Sequence, residues 1–173
     1  MFDVWRMRQA RKAAVASIAP FVETSRHRLN GIAESVWLDP YMVGFVATLV
    51  TLAAERRSAT LRTQAMGLVQ ADAWADITGA RPDLIGEEIC FLSAARSKDF
   101  ETGCRNAVRF FGALCGKPPG AGSDVSSIGL AIDDDANGVD LSEPYGDLGA
   151  LWSAYFEAHV ERSRSHLPTR NDL

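Results

Sequence analysis

The sequence contains few cysteines and no familiar catalytic signature. It has three cysteines and three histidines among 173 residues. An odd number of cysteines in a chain of this size favours a reducing compartment over a disulfide framework, and we expect a cytoplasmic protein. A phosphate-binding glycine loop, a Walker sequence, a nucleophile elbow and an HExxH helix are all missing from the sequence. The histidines supply a potential base, but no catalytic partner is visible beside any of them.

The main apolar stretch is too short to span a bilayer. It runs from Tyr41 to Ala54 and contains 14 residues, YMVGFVATLVTLAA, where a membrane helix needs about 20. Its apolar residues lie on all sides of a helix, which is typical of a buried central helix. Asp39 and Pro40 supply an N-cap and a first-turn proline. The sequence therefore predicts a core helix here and no membrane span.

The N-terminal basic run does not form a convincing secretion signal. The apolar segment Ala13 to Val22 follows it, but this segment is mostly alanine and has no cleavage site. The same residues make a better amphipathic helix. With 47% hydrophobic and 23% charged residues, the composition is that of a soluble globular protein.

Charge is distributed unevenly along the chain. Residues 1–36 contain six basic and three acidic residues, whereas residues 117–173 contain four basic and ten acidic residues. This asymmetry could steer one end toward an anionic partner, or it could let the two ends of one molecule attract each other, which is the simpler interpretation. Because the isoelectric point is about 5.4 and no helix-turn-helix pattern is present, we expect no nucleic-acid binding.

The first segment has a helical seam. Its residues recur at alternating spacings of three and four: Val4, Arg8, Arg11, Val15, Ile18, Val22, Ser25, Leu29, Ile32 and Val36. Pro20 interrupts the pattern, so a kink or a break is expected near Ala19. The seam could form an oligomer interface, or it could pack on the central helix, which we favour.

Helix start and stop signals divide the rest of the chain. Ser58 or Thr60 is expected to cap a third helix ending before Gly79, and a fourth helix should cover residues 83–96. A fifth begins at Ser97 and ends at Gly116, with its inner face formed by Phe100, Cys104, Ala107, Phe111 and Leu114. A last helix is predicted over residues 147–165, with residues 168–173 frayed. These elements predict one all-α domain, residues 1–173, as a bundle of five to six helices around a central buried helix, in which short connections join antiparallel neighbours.

A long acidic loop, residues 117–145, precedes the last helix and is rich in glycine, proline, serine and aspartate. Within it, Asp133, Asp135, Asn137 and Gly138 resemble the first half of a calcium-binding loop. The second half departs from that pattern, since Glu143 lies one residue before the position of the usual bidentate carboxylate. The loop therefore predicts either a calcium or other cation site, with Asp133, Asp135, Asn137 and Glu143 as ligands, or an acidic turn, which is the interpretation we favour.

Two other groups of residues could form sites. A pocket between helices could be lined by aromatic residues and one titratable group: Trp74, Phe111, Trp152, Tyr155 and His159. Two Glu-x-x-Cys pairs, Glu87 with Cys90 and Glu101 with Cys104, could meet across a helical hairpin and hold a metal. In both cases a core role for the residues is the alternative.

These observations favour a non-enzymatic helical interaction protein, an adaptor or regulatory subunit that binds a protein partner or forms a homo-oligomer. The alternative is a small-molecule or cation-binding helical protein, which could be an enzyme, that uses the aromatic pocket or the acidic loop. Calcium at the acidic loop is the one cofactor that the sequence leaves open.

Overall fold

The computed structural model describes residues 2–58, 61–116 and 147–165, and within these ranges it contains helices and no strand. The elements are α1 (Phe2–Arg28), a 3-10 turn (Glu34–Leu38), α2 (Pro40–Arg57), α3 (Thr63–Thr78), α4 (Pro82–Ala94), α5 (Lys98–Leu114), α6 (Leu148–Trp152), a π-helical turn (Ser153–Glu157) and α7 (Ala158–Ser165). The last three follow one another without interruption, and we call residues 148–165 the last helix. The predicted all-α bundle is confirmed. The predicted loop over residues 117–145 and the frayed tail lie outside the described residues.

The central element of the bundle is α2. Every residue from Tyr41 to Thr51 is buried, as expected for a helix that is apolar on all sides. Asp39 caps its start, with Oδ1 accepting from the Tyr41 amide at 3.0 Å, and Pro40 occupies the first turn. The helices α1, α3, α4 and α5 all pack against α2. In the part of the chain that the structure describes, no helix combines the length and hydrophobicity that a membrane crossing requires.

The first segment differs from its predicted seam in two ways. The α1 helix continues through Pro20, so the alternative of a break near Ala19 is wrong. Pro20 is exposed, and its missing amide therefore falls on the solvent side of the helix, where the bond is lost at little cost. The seam also ends earlier than predicted, since Asn30 and Gly31 adopt positive φ angles of 52° and 99° and turn the chain after Arg28.

The third helix begins later than predicted and the fourth ends slightly earlier. Ser58 follows the end of α2 and does not cap α3, which starts at Thr63. The N-cap residue of α3 is Arg62, whose side chain makes no capping hydrogen bond. The fourth helix, α4, ends at Ala94 rather than Arg96. Gly79 ends α3 in the left-handed conformation, φ 76°, as its position in the sequence indicated. Ser97 caps α5, and Gly116 turns the chain after it with φ 68°.

The tightest contact in the bundle joins α2 to α5. Three residue pairs occur in the same order along both helices, so that the helices run parallel: Gly44 lies by Phe100, Thr48 by Cys104 and Arg56 by Cys115. A Cβ atom on Gly44 would lie 2.3 Å from the Phe100 carbonyl oxygen, and one on Gly103 would lie 2.2 Å from the Tyr41 carbonyl oxygen. The two glycines therefore allow the backbones to touch.

The inner face of α5 contains Phe100, Cys104, Ala107 and Phe110. The prediction placed Phe111 on this face, but Phe110 is the buried ring and Phe111 is only partly covered. Phe110 joins an aromatic cluster with Phe21, Phe45 and Trp152, at centroid distances of 5.3, 6.3 and 5.2 Å. This cluster attaches the last helix to α1, α2 and α5.

Candidate functional site: a groove between three helices

A groove of about 530 Å³ lies where α1, α2 and α5 meet. Four residues of α1 form one wall, and they follow the i, i+3, i+4, i+7 spacing of one helix face: Ala13, Ala16, Ser17 and Pro20. The Ser17 hydroxyl donates to the Ala13 carbonyl oxygen at 2.8 Å, so it is satisfied within its own helix. This wall is therefore shallow and largely apolar, and it leaves room for another element beside the α1 backbone.

The opposite side of the groove combines apolar and positively charged groups. Phe111 and Leu114 of α5 supply apolar surface, as does Ala53 of α2. Arg56 and Arg57, at the end of α2, supply two guanidinium groups. Ala10 packs with Ala54, whereas Phe21 and Phe45 both contact Phe110 and Trp152, so α1 and α2 run antiparallel. This direction puts the two arginines at the Ala13 end of the groove and Phe21 at the other end.

The two guanidinium groups have no carboxylate partner in the described part of the chain. Arg56 donates from Nη1 to the Cys115 sulfur at 2.6 Å, and neither Arg56 nor Arg57 lies within 4.0 Å of a described carboxylate. In contrast, one arginine of α1 is paired. Arg11 binds Asp76 through two hydrogen bonds of 2.7 Å and also contacts Asp72 at 3.1 Å. The groove therefore ends in positive charge that the described fold does not neutralise.

The predicted aromatic pocket residues are distributed over different parts of the bundle. Phe111 lines the groove, and Trp74 lies in the core on α3. Trp152 stacks on Phe156 at 4.4 Å, and Tyr155 meets the edge of Phe45 at 6.5 Å. Among the described residues, no ring contact links Trp74 to the other four predicted residues. Their role in ligand binding stays a prediction.

His159 belongs to a polar cluster at the start of α2. Its Nε2 lies 2.8 Å from Asp39 Oδ1, and its ring stacks on Tyr41 at 4.1 Å. The Tyr41 hydroxyl donates to the Tyr155 carbonyl oxygen at 2.9 Å and accepts from the Asn106 amide at 2.9 Å. A carboxylate that orients an imidazole is a common catalytic arrangement, but here both Asp39 and Tyr41 are used in joining helices. The cluster ties α2, α5 and the last helix together.

Asp39 also gives the cluster a pH dependence. Burial disfavours the Asp39 carboxylate, but the hydrogen bond and charge of His159 and the Met42 and Tyr41 amides outweigh burial and lower the pKa of Asp39. A carboxyl whose pKa is lower in the folded state stabilises the fold above its unfolded pKa of about 4 and loses that effect as the pH falls.

We therefore expect the Asp39→Asn variant to be about 1 kcal/mol less stable than the wild type at pH 7. Asparagine keeps an N-cap oxygen, so the loss comes from the charge. The difference should shrink as the pH is lowered below about 4, because the unfolded chain then binds a proton at Asp39 before the folded protein does. Thermal melts followed by circular dichroism at each pH measure it, with the exposed Asp99→Asn as the control. A difference that is constant with pH would contradict the assignment.

A second polar cluster, which the sequence did not predict, surrounds Glu157. The Glu157 side chain is only 5% exposed. It accepts from Ser25 at 2.7 Å and from Ser153 at 2.9 Å, and it pairs with Arg28 at 3.1 Å. The indole of Trp152 donates to the Ser25 hydroxyl at 2.8 Å. Every polar group in this cluster has a partner, so the cluster holds the last helix on α1.

Contacts between the first segment and the last helix support one interpretation of the uneven charge. Arg28 pairs with Glu157, and Arg164 donates to the Leu29 carbonyl oxygen at 2.7 Å and to that of Gly31. One of these contacts, Arg28 with Glu157, is an ion pair between the basic first segment and the acidic last segment, whereas most acidic residues of the last segment lie outside the described residues. Arg56 and Arg57 lie outside this network.

Of the two predicted metal sites, the structure describes only the residues of the Glu-x-x-Cys pairs. Among residues 2–58, 61–116 and 147–165, no three His, Cys, Asp or Glu side chains are grouped in a way that could hold a metal ion. Cys90 is exposed, whereas Cys104 is buried and its pKa is raised by that burial despite a hydrogen bond with Thr48. The calcium-like ligands Asp133, Asp135, Asn137 and Glu143 lie outside the described residues.

The sequence offered only weak indications of the groove. The small residues of α1 lie away from the seam, where alanine is ordinary in a helix. Arg56 and Arg57 follow the apolar stretch, and charged residues at the end of a buried helix are equally ordinary. Comparison with known proteins does not identify the groove either, since no protein-family model, curated protein or solved structure matches the chain. Its function has to be inferred from its geometry.

Proposed function

We propose that the protein is a non-enzymatic helical interaction protein and that it binds its partner in the groove between α1, α2 and α5. One observation carries this proposal: a shallow apolar wall, Ala13 to Pro20, lies beside two guanidinium groups. Neither guanidinium has a carboxylate within 4.0 Å among the described residues. Protein-binding sites typically combine an apolar centre with a polar rim, and arginine is enriched in them relative to the rest of the surface.

The alternative function, binding of a small molecule, is favoured by one observation. The volume of the groove, about 530 Å³, falls within the range of roughly 300–1,000 Å³ that is typical of small-ligand sites.

Calcium binding through Asp133 and Asp135 is a further proposal. If it is correct, a double Asp133→Asn, Asp135→Asn variant loses any stabilisation by calcium, and a response that survives places the ion elsewhere.

The groove can be filled without disturbing the core, because Ala16 is exposed. We expect an Ala16→Trp variant to melt within about 0.5 kcal/mol of the wild type, as surface substitutions usually do. If the groove binds a partner, tagged Ala16→Trp protein purified from its own cells should lose at least one protein that co-purifies stoichiometrically with the wild type. Quantitative mass spectrometry of the two preparations measures this loss.

A Gln64→Trp variant serves as the matched control, since Gln64 is an exposed residue of α3 that does not line the groove. It adds the same ring to the surface and should leave co-purification unchanged. Identical partner profiles for wild type, Ala16→Trp and Gln64→Trp would count against the groove as the binding site.

A further inference from the structure

We infer that the partner occupying this groove is an amphipathic helix that carries carboxylate side chains next to its apolar anchors. This inference rests on the proposed function, because it names the chemistry of the partner at the same site. It follows from the dimensions of the groove, from its open side and from the position of its charge.

The dimensions of the groove suit the face of a helix. The α1 wall extends from Ala13 to Pro20, and the seven steps between these residues span about 10 Å at 1.5 Å per residue, which corresponds to two helical turns. The side chains along it are small, so a partner backbone can approach α1 closely. A helix in such a groove would be anchored by apolar side chains at i, i+3 or i+4, and i+7.

The open side of the groove favours a helix over a free acid of low molecular weight. Small-ligand sites bury about 70–90% of the ligand surface, which requires walls on nearly all sides. Here the Ala16 and Pro20 side of the groove is exposed. An amphipathic helix needs only its apolar stripe covered and can leave its polar face in water.

The positive charge at one end of the groove favours a partner that carries carboxylate groups. Arg56 and Arg57 lie at the Ala13 end, and the described residues offer them no carboxylate within 4.0 Å. Arginine pairs well with carboxylates because its planar guanidinium can donate two parallel hydrogen bonds. A partner with glutamate or aspartate one turn beyond its last apolar anchor would place those carboxylates against Arg56 and Arg57. The opposite end, at Phe21, should accept an apolar anchor.

A displayed library of helical peptides tests this inference on the full-length protein. The anchor positions vary among Leu, Ile, Met and Phe, and the positions one turn before and after them vary among Glu, Gln and Lys. Peptides are selected on wild-type protein after removal of those that also bind Ala16→Trp. We expect enrichment of Glu on one side of the anchors only, because the arginines occupy one end of the groove.

The selected peptides then allow a matched measurement of the charge effect. Replacing the enriched glutamates with glutamine should weaken binding about 2- to 30-fold, as expected for two exposed ion pairs. On an Arg56→Gln, Arg57→Gln variant the glutamate and glutamine peptides should bind equally. An Arg8→Gln, Arg62→Gln variant, which removes two exposed arginines away from the groove, should behave as the wild type.

The possible failures are distinguishable. If peptides are selected with Lys or Gln as often as Glu, and Ala16→Trp still blocks them, the groove binds helices but the acidic partner is wrong. If no peptide is enriched although Ala16→Trp loses a cellular partner, the helical occupant is wrong and the proposed function stands. Decanoate tests the remaining case. If decanoate binds the wild type but not the Arg56→Gln, Arg57→Gln variant, and no peptide shows this dependence, the groove binds a small carboxylate and the inference is overturned.

Discussion

A Gly103→Ala variant is expected to be about 3 kcal/mol less stable than the wild type, at the upper end of the range for overpacked sites. The added methyl group would lie 2.2 Å from the Tyr41 carbonyl oxygen and 2.8 Å from the Phe45 amide nitrogen. Both are backbone atoms of α2, so no side-chain rotation relieves the clash and the two helices must separate by roughly 1 Å. For a domain of this size the melting temperature should fall by roughly 6–12 °C.

Gly112→Ala in the same helix is the matched control. A Cβ atom at Gly112 would meet nothing within 4 Å, and alanine favours a helix over glycine by about 1 kcal/mol. The control should therefore be unchanged or slightly stabilised. Urea denaturation of both variants measures the difference. A Gly103→Ala protein as stable as Gly112→Ala would contradict the close parallel contact of α2 and α5.

A Glu157→Leu variant is expected to be about 3 kcal/mol less stable than the wild type, because it removes the acceptor for buried donors. Leucine is similar in size to glutamate, but it cannot accept a hydrogen bond. The Ser25 hydroxyl, which is fully buried, would lose its acceptor. Ser153 and Arg28 would lose the carboxylate that they contact. Replacing a whole buried pair by apolar residues can be neutral, but here only one member of the cluster changes.

Two further variants separate the contributions to this cluster. Arg28 is 59% exposed, so Arg28→Gln should lower the free energy of unfolding by less than about 1 kcal/mol. Glu161→Gln, an exposed change one turn further along the last helix, should have an effect within about 0.5 kcal/mol. Chemical denaturation of the three variants gives the comparison. If Arg28→Gln costs as much as Glu157→Leu, the ion pair rather than the buried hydrogen bonds holds the last helix.

The sequence predicted the parts of the fold that depend on local chemistry. The central position of α2 followed from its apolarity on all sides together with Asp39 and Pro40, and the ends of α3 and α5 followed from Gly79 and Gly116. These features are encoded within a few neighbouring residues. The same local reasoning could not decide whether Pro20 breaks α1, because that outcome depends on which side of the helix meets solvent, and hence on the tertiary packing.

The parts that the sequence did not predict depend on residues far apart in the chain. Gly44 and Gly103 have ordinary helical surroundings in the sequence, and their role appears only when α2 and α5 lie side by side. The π-helical turn changes which residues of the last helix point inward, and it accompanies the burial of Glu157, which a regular pattern would not select.

The candidate site illustrates the same limit. Phe111 was predicted as a pocket residue on the inner face of α5, whereas it lines the groove beside α1 and α2 because Phe110 occupies the core instead. The groove takes residues from three helices separated by dozens of positions, and its charge comes from two exposed arginines that have no carboxylate within 4.0 Å among the described residues. Neither fact can be obtained from a motif or from the periodicity of one helix.

The most direct test of the docking groove is site-specific photo-crosslinking in the cells that produce the protein. A benzophenone amino acid is introduced at Ala16 in the groove and, as a control, at Gln64 on α3. We expect the Ala16 position to give one adduct of defined mass, the Gln64 position to give none, and an additional Arg56→Gln, Arg57→Gln change to weaken the adduct. An adduct of twice the protein's own mass would identify a second copy of this chain as the occupant. Equal adducts from both positions, or none from Ala16, would contradict the groove as the interaction site.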